Sequence, residues 1–184
     1  MLYTKAWAIE RFNSEGSLKC RLFWGHRPRK DGRVGSQCMS QWFDSPFDVD
    51  GVSYSIAEHW MMAEKARIFG DEHALELILN SRDPGKAKAV GRSVRSFHAQ
   101  KWDEAKFDIV VEGNVHKFAS DKRLRDYLFQ TGELLLVEAS PVDLIWGTGL
   151  PADHADAENP NAWRGQNLLG FALMEARDRL RVRG

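Results

Sequence analysis

Apolar residues recur with helical spacing through the middle of the chain and in short alternating runs on either side of it. Residues 19–24 (KCRLFW) and 38–43 (CMSQWF) carry aromatic weight in partial alternation and predict two strands. Between them, residues 26–35 (HRPRKDGRVG) form an irregular Gly- and Arg-rich segment. In SPFDVDGVSYS (45–55) the pair Asp50-Gly51 separates FDV from VSY, a strong hairpin signal. Ser55, with Glu58 three residues on, predicts a capping box that opens the helix IAEHWMMAEKARIF, which Gly70 ends. Residues 71–80 predict a second helix with acids in its first turn, and Pro84 opens a third. From His98 to Ala119, Trp102, Phe107, Ile109, Val110, Val115 and Phe118 form the longest apolar stripe. Residues 121–132 give a further helix closed by Gly132. LLLVEAS (134–140) reads as a short buried strand, DLIWGTGLP as a tight loop, and NLLGFALMEARDRLRVR as a closing amphipathic helix. The expected fold class is α+β: a mostly helical single domain over residues 1–184, with a small β-sheet drawn from distant parts of the chain.

Composition narrows the function classes. A chain of 184 residues can bury a sizeable core, and 43% apolar with 28% charged residues is ordinary for a globular protein. No run of about 18 apolar residues occurs, so no membrane-spanning helix is expected. MLYTKAWAIERF lacks the apolar core and cleavage site of a secretory signal. Cys20 and Cys38 match no metal spacing and are read as reduced thiols of a cytoplasmic protein. The six histidines show no paired ligand spacing, so no metal site is expected. Lys plus Arg and Asp plus Glu are equal at 26 each, so a wide basic field for polymer phosphates is excluded. Any phosphate is then held by a few local groups, which suits a nucleotide-sized ligand or one modified residue on a polymer.

Several residues have the right types for chemistry. Glu58 and Lys65 lie seven apart, which on a helix sets them about 20° apart and roughly 10 Å along the axis. Side chains lean toward the helix N-terminus, so Lys65 reaches back toward Glu58 over Met61 and Met62. The plain structural reading is a capping Glu58 and a snorkelling Lys65. Asp143, Trp146 and Gly147 follow a buried strand, which suits a ligand loop and equally an Asp cap beside a core tryptophan. Trp102 is a stacking platform or a core residue. Arg164 and Asn167 sit at a loop-to-helix junction, where free N–H groups favour anions, or simply where a polar helix start belongs. Lys86, Arg92 and Arg95 can meet a phosphate or form a solvated face. Gly147-Thr148-Gly149 is too short to be a dinucleotide fingerprint.

Four ordered blocks carry a resemblance: SQWFDSPFDVDGVSYSIAEHWMMAEKARIFGD, GRSVRSFHAQKWDEAKFDIVVEGNVHKF, LLLVEASPVDLIWGTGL and NAWRGQNLLGFALMEARDRL. In order and spacing they resemble the NADAR superfamily of YbiA-like proteins, over roughly residues 19–181. The resemblance implies a YbiA-like fold and cleavage of N-glycosidic bonds; no cofactor is expected. Two substrate classes come with it: phosphoribosylamino-pyrimidine intermediates of riboflavin synthesis, and ADP-ribose on guanine, free or within DNA or RNA. Carried over by motif, Glu58 matches the essential acid and Lys65 the family's lysine. Trp102, Asp143 and Trp146 match further site positions. The substrate-binding set expected around them comprises Phe23, Trp24, Gly25, Ser40, Gln41, Trp42, Gly147, Arg164 and Asn167. Gln41 replaces the asparagine of the commoner SNF version, and His59 and Trp60 stand where relatives vary, which bears on substrate choice more than on chemistry.

The implied reaction builds positive charge at the sugar C1 while the leaving base gains electrons. One of Glu58 and Asp143 then faces C1, and the other orients the ribose or delivers a proton. Lys65 acts as a cation toward phosphate or the leaving group, or as a neutral amine that forms a Schiff base at C1. Trp102, Trp146, Phe23 and Trp24 are the candidates to stack on the base. Two other classes compete: a non-catalytic reader of ADP-ribose or NAD, and an interaction module with no ligand. Turnover separates the first from the enzyme, and saturable ligand binding eliminates the second.

Overall fold

Short polar side chains decide where most helices begin. In the computed structural model, which describes residues 1–183, Thr4 accepts the Trp7 N–H and opens α1 (Lys5–Glu15). Asp71, Asp83 and Asp121 do the same for α3 (Glu72–Leu79), α4 (Pro84–Arg92) and α6 (Lys122–Gln130). The other elements are β1 (Cys20–Phe23), β2 (Phe47–Val49), β3 (Val52–Tyr54), α2 (Ala57–Ile68), α5 (Ala99–Ser120), β4 (Leu135–Glu138) and α7 (Leu168–Arg183). The architecture is α+β. Among the described residues no helix is long and apolar enough to cross a membrane.

Helix α2 departs from the expected start. Its N-cap is Ile56, which makes no side-chain cap, so Ser55 and Glu58 do not form a capping box. The Glu58 N–H instead donates to the Gln41 carbonyl at 3.0 Å. A loop from elsewhere in the chain satisfies this helix end, which leaves the Glu58 side chain for other work. Nor is α2 half exposed: nine of its residues are buried, on every side of the helix. Trp60 packs against Gly113 of α5 and Met62 against Gly91 of α4, where an added Cβ would lie 2.4 Å and 2.0 Å from those side chains. Two glycines therefore let three helices approach closely enough to enclose α2.

The strands also differ in part from expectation. Residues 38–43 are not a strand; a 3-10 turn covers Ser36–Met39 and irregular turns follow. The neighbours Cys38 and Met39 are both fully buried, which the alternating faces of a strand facing one core do not allow. The sheet is two separate pairs. β1 and β4 run parallel, from Cys20 opposite Leu135 to Phe23 opposite Glu138. β2 and β3 form the expected hairpin, with Asp50 at φ 50° and Gly51 at φ 80°, as a type I′ turn requires. α1 falls in a stretch for which the sequence pattern predicts no element. Both cysteines are free thiols.

β4 packs on α7, and α7 lies along α5. Their contact is filled by Val110, Val115, Phe118, Leu136, Phe171 and Leu173, all essentially inaccessible to solvent. Asn167, fully buried at φ 54°, sits where α7 meets the open side of β4. Its Oδ1 accepts the Glu138 N–H at 2.8 Å and its Nδ2 donates to the Leu136 carbonyl at 2.9 Å. Removing both bonds leaves buried backbone groups unpaired and places a residue less tolerant of positive φ there. Asn167→Ala should therefore lower folding stability by about 2–4 kcal/mol, as measured by urea denaturation.

Candidate active site

The end of β4, one face of α2, the end of α4 and the start of α5 converge on a cleft of about 600 Å³. Glu58, Met61, Met62 and Lys65 line it from α2, Lys88 and Arg92 from α4, and Trp102 from α5. Glu138 closes β4 there, and the 142–146 loop adds Asp143 and Trp146. Ser40, Gln41 and Trp42 supply the facing loop. Clefts of similar volume elsewhere do not gather such groups. One of about 600 Å³ between α1 and the starts of β1 and β4 holds mainly exposed, paired charges such as Arg11 with Glu15.

Two of the three carboxyls in this cleft are unusual. Glu58 Oε1 and Glu138 Oε2 are buried and have no hydrogen-bond partner. Burial raises the Glu58 pKa; Lys88, the nearby Trp42 side chain and Arg92 oppose the rise, and Asp143 adds to it. Glu138 is pushed up to about 8, by burial first, then by the charges of Asp143 and Glu58, with Lys88 as the opposing cation. Buried polar atoms are nearly always partnered in folded proteins, so two unpartnered carboxyl oxygens in one cleft point to a ligand that completes them. Asp143 is held differently. Its Oδ1 accepts the N–H groups of Ile145 and Trp146 at 2.9 and 2.8 Å, and its own N–H donates to Ser140 Oγ at 3.2 Å. The expected cap and the expected cleft position are thus one residue.

Lys65 lines the cleft with Glu58 but does not reach back to it. Its Nζ donates to the Gly91 carbonyl at 2.7 Å and lies over the rings of Phe97 and Trp102, at 4.4 and 5.4 Å from their centres. Burial lowers its pKa, and the Arg92 charge lowers it further. Among the described residues neither Lys65 nor Glu58 forms an ion pair.

Of the residues singled out from sequence as candidates for chemistry, the structure brings Ser40, Gln41, Trp42, Glu58, Lys65, Arg92, Trp102, Asp143 and Trp146 to one cleft. It does not bring the others. Phe23 is buried in the core, and Trp24 is 60% exposed outside the lining. Gly25, at φ 80°, has open space beside it and no ligand wall. Gly147 is needed for packing: a Cβ there would lie 2.8 Å from Ser140 Cβ and 3.0 Å from two carbonyls.

The backbone at Arg164 and Asn167 does not form an anion seat. The N–H groups of Arg164, Gly165, Gln166, Asn167, Leu168 and Leu169 all donate to carbonyls of residues 144–148, so none is left for a phosphate. Arg95 is tied to Asp71 at 2.6 Å, while Lys86 lies outside this cleft. Sequence reasoning missed Glu138 and Lys88. A carboxylate ending the apolar run LLLV was the available signal for Glu138. Lys88 sat on a helix whose basic residues looked uniformly solvated.

Comparisons with known proteins place the chain in a family. The NADAR domain family matches residues 22–181. An N-glycosidase of Acanthamoeba polyphaga mimivirus is 43% identical over 151 residues, covering 79% of this chain and 89% of its own. N-glycosidase YbiA of Escherichia coli (strain K12) is 31% identical over 137 residues, covering 74% of this chain and 77% of its own. The NMR structure of Escherichia coli YbiA has a TM-score of 0.71 at 26% identity, covering 91% of this chain and 88% of that one. A family match over nearly the whole chain, together with relatives alike in sequence and fold, establishes that this protein belongs to the NADAR domain family.

Proposed function

We propose that this chain, acting as one domain, hydrolyses N-glycosyl bonds, as the names of its relatives describe, and that the bond it breaks joins ADP-ribose to a guanine base. The observation that carries this reading is the buried, unpartnered Glu58 carboxyl sharing a cleft with a desolvated Lys65. Bond cleavage leaves an electron-poor C1, which a carboxylate stabilises through space and an amine captures directly.

Lys65 suits capture. Burial and Arg92 favour its neutral form, the Gly91 carbonyl takes one N–H, and no carboxylate holds the ammonium. Attack by Nζ on C1 expels the base with the bonding pair. The sugar ring then opens: the ring oxygen takes up a proton, the nitrogen loses one, and a C1=N Schiff base remains. Water adds to C1 and expels the amine, restoring Lys65 and releasing the sugar. Glu58 faces the cationic centre throughout and accepts the proton that the amine loses. Lys88 and Arg92 are the local cations for the diphosphate, which accounts for phosphate binding by a chain of zero net charge. Trp42, Trp102 and Trp146 offer aromatic surface for the bases. The substrate is free or carried on DNA or RNA, in a cytoplasm that keeps Cys20 and Cys38 reduced.

Incubation with ADP-ribosyl-guanosine should release ADP-ribose and guanosine, followed by chromatography. Phosphoribosylamino-pyrimidine intermediates serve as the competing substrates, and faster release from them would reassign the substrate class. Tight ADP-ribose binding with no turnover of either would make the chain a reader instead. Glu58→Gln should lower kcat by ~10²–10⁴-fold, the usual range for removing one positioned acid–base group.

Borohydride added during turnover should leave a reduced sugar adduct on Lys65, seen by mass spectrometry and absent from Lys65→Ala. An active wild type that yields no adduct would show that water attacks directly.

A further inference from the structure

We infer that Glu138 is the general acid of this cleft, the group that gives its proton to the departing base. The inference rests on the N-glycosidase reading above and assigns a residue that the reading leaves without a role. Hydrolysis of an N-glycosyl bond needs a proton delivered to the base and a carboxylate near C1, and the cleft holds three carboxyls to divide between these tasks.

Their surroundings divide them. Asp143 Oδ1 is already occupied by two backbone N–H groups. Glu58, buried and facing Asp143 as a like charge, has two cations, Lys88 and Arg92, and the Trp42 side chain to set against that. Glu138 meets Asp143 and Glu58 as like charges and only Lys88 as a countercharge; Lys65 and Arg92 complete the charged lining. Glu138 is therefore the carboxyl of the set with the fewest countercharges, and the proton is assigned to it, with Glu58 on the C1 side.

Its seat is rigid. The Glu138 N–H is held by Asn167 Oδ1 at 2.8 Å, and its carbonyl accepts the Thr148 N–H at 2.9 Å. With both backbone groups fixed, the side chain stays at the cleft with Oε2 unpartnered.

The step balances. The Glu138 proton passes to the base nitrogen as the C1–N bond breaks and its electron pair leaves with the base. The resulting Glu138 carboxylate recovers a proton from the water whose OH ends on C1. The sum is substrate plus water giving free sugar and protonated base, and it is the same for first attack by Lys65 or by water.

The test is a pH–rate profile of wild type and Glu138→Gln on ADP-ribosyl-guanosine, with Glu138→Ala assayed with and without formate. Wild-type kcat should fall as pH rises through about 8. Glu138→Gln should lack that limb and turn over ~10²–10³-fold more slowly at neutral pH, a typical general-acid loss, with KM little changed. Formate should restore part of the Glu138→Ala rate, which it would not do for a group that only shapes the cleft. An unchanged alkaline limb in Glu138→Gln, or wild-type turnover by that variant, overturns the assignment.

Infrared titration separates this failure from failure of the glycosidase reading. A neutral carboxylic acid band at pH 7, absent from Glu138→Gln, is expected even if no substrate is cleaved, and its absence from the wild type overturns the proton-holding role. Folding is controlled by the same linkage. Between its usual value of 4.5 and about 8, the native chain holds a proton that the unfolded chain has lost, so Glu138 costs stability as pH rises across that window. Glu138→Gln is spared this cost, so at pH 9 it should melt no lower than the wild type.

Discussion

The N–H groups at the start of α7 must find acceptors, and the way they do so fixes one wall of the cleft. Among the described residues no side chain accepts from them. Gln166, Asn167, Leu168 and Leu169 donate to the carbonyls of Leu144, Gly147, Ile145 and Trp146, and the two residues before them donate to Thr148. The loop carrying Asp143 and Trp146 is therefore registered, bond by bond, against a helix that is buried over most of its length. Asn167 extends the same attachment to β4 and so to Glu138. A helix terminus that looked ready for an anion spends its donors on the protein's own loop.

The fold tolerates an electrostatic cost at the place this attachment creates. Desolvating a carboxyl without a partner is unfavourable by a few kcal/mol, and Glu58 and Glu138 both stand in that position. Lys65 stands close by yet bonds to a carbonyl. A fold selected for stability alone would pair these groups or replace them with apolar residues. Leaving both signs of charge uncommitted in one cleft gives up stability and keeps each group available to a substrate.

Much of this was legible in the sequence, wherever the cause of a structure lies within a few residues of its effect. Asp50-Gly51 specifies its turn through its own backbone preferences, and Asp71, Asp83 and Asp121 begin helices by accepting N–H groups two or three residues on. The helix carrying Glu58 and Lys65 was visible for the same reason. What failed depends on partners distant in the chain. The Glu58 N–H is met by Gln41, so the apparent capping box has no function. Lys65 is drawn to Gly91, whose carbonyl is near only because Met62 packs against that glycine. Arg164 and Asn167 were misread because a sequence shows a helix start without showing which carbonyls arrive there. Glu138 was overlooked because its raised pKa comes from burial in the folded chain first, and then from two carboxyls of other segments.

The second wall of the cleft is fixed by a different helix. Asn114 and Lys117, one turn apart on α5, are both fully buried. Asn114 Oδ1 accepts from Gln41 Nε2 at 3.1 Å, and Lys117 Nζ donates to the Ser40 carbonyl at 2.7 Å. Burial lowers the Lys117 pKa to about 8, and the amine donates that bond charged or neutral, so the anchorage does not depend on its ionisation. Ser40, Gln41 and Trp42 are thereby tied to α5 as Asp143 and Trp146 are tied to α7. Because α5 and α7 pack along each other through side chains without solvent access, the spacing between the two walls is set by that helix pair. Substitutions in the α5–α7 contact then act on the cleft without touching it, since a change in the separation of the helices is also a change in the distance across which the carboxyls and tryptophans must meet one substrate.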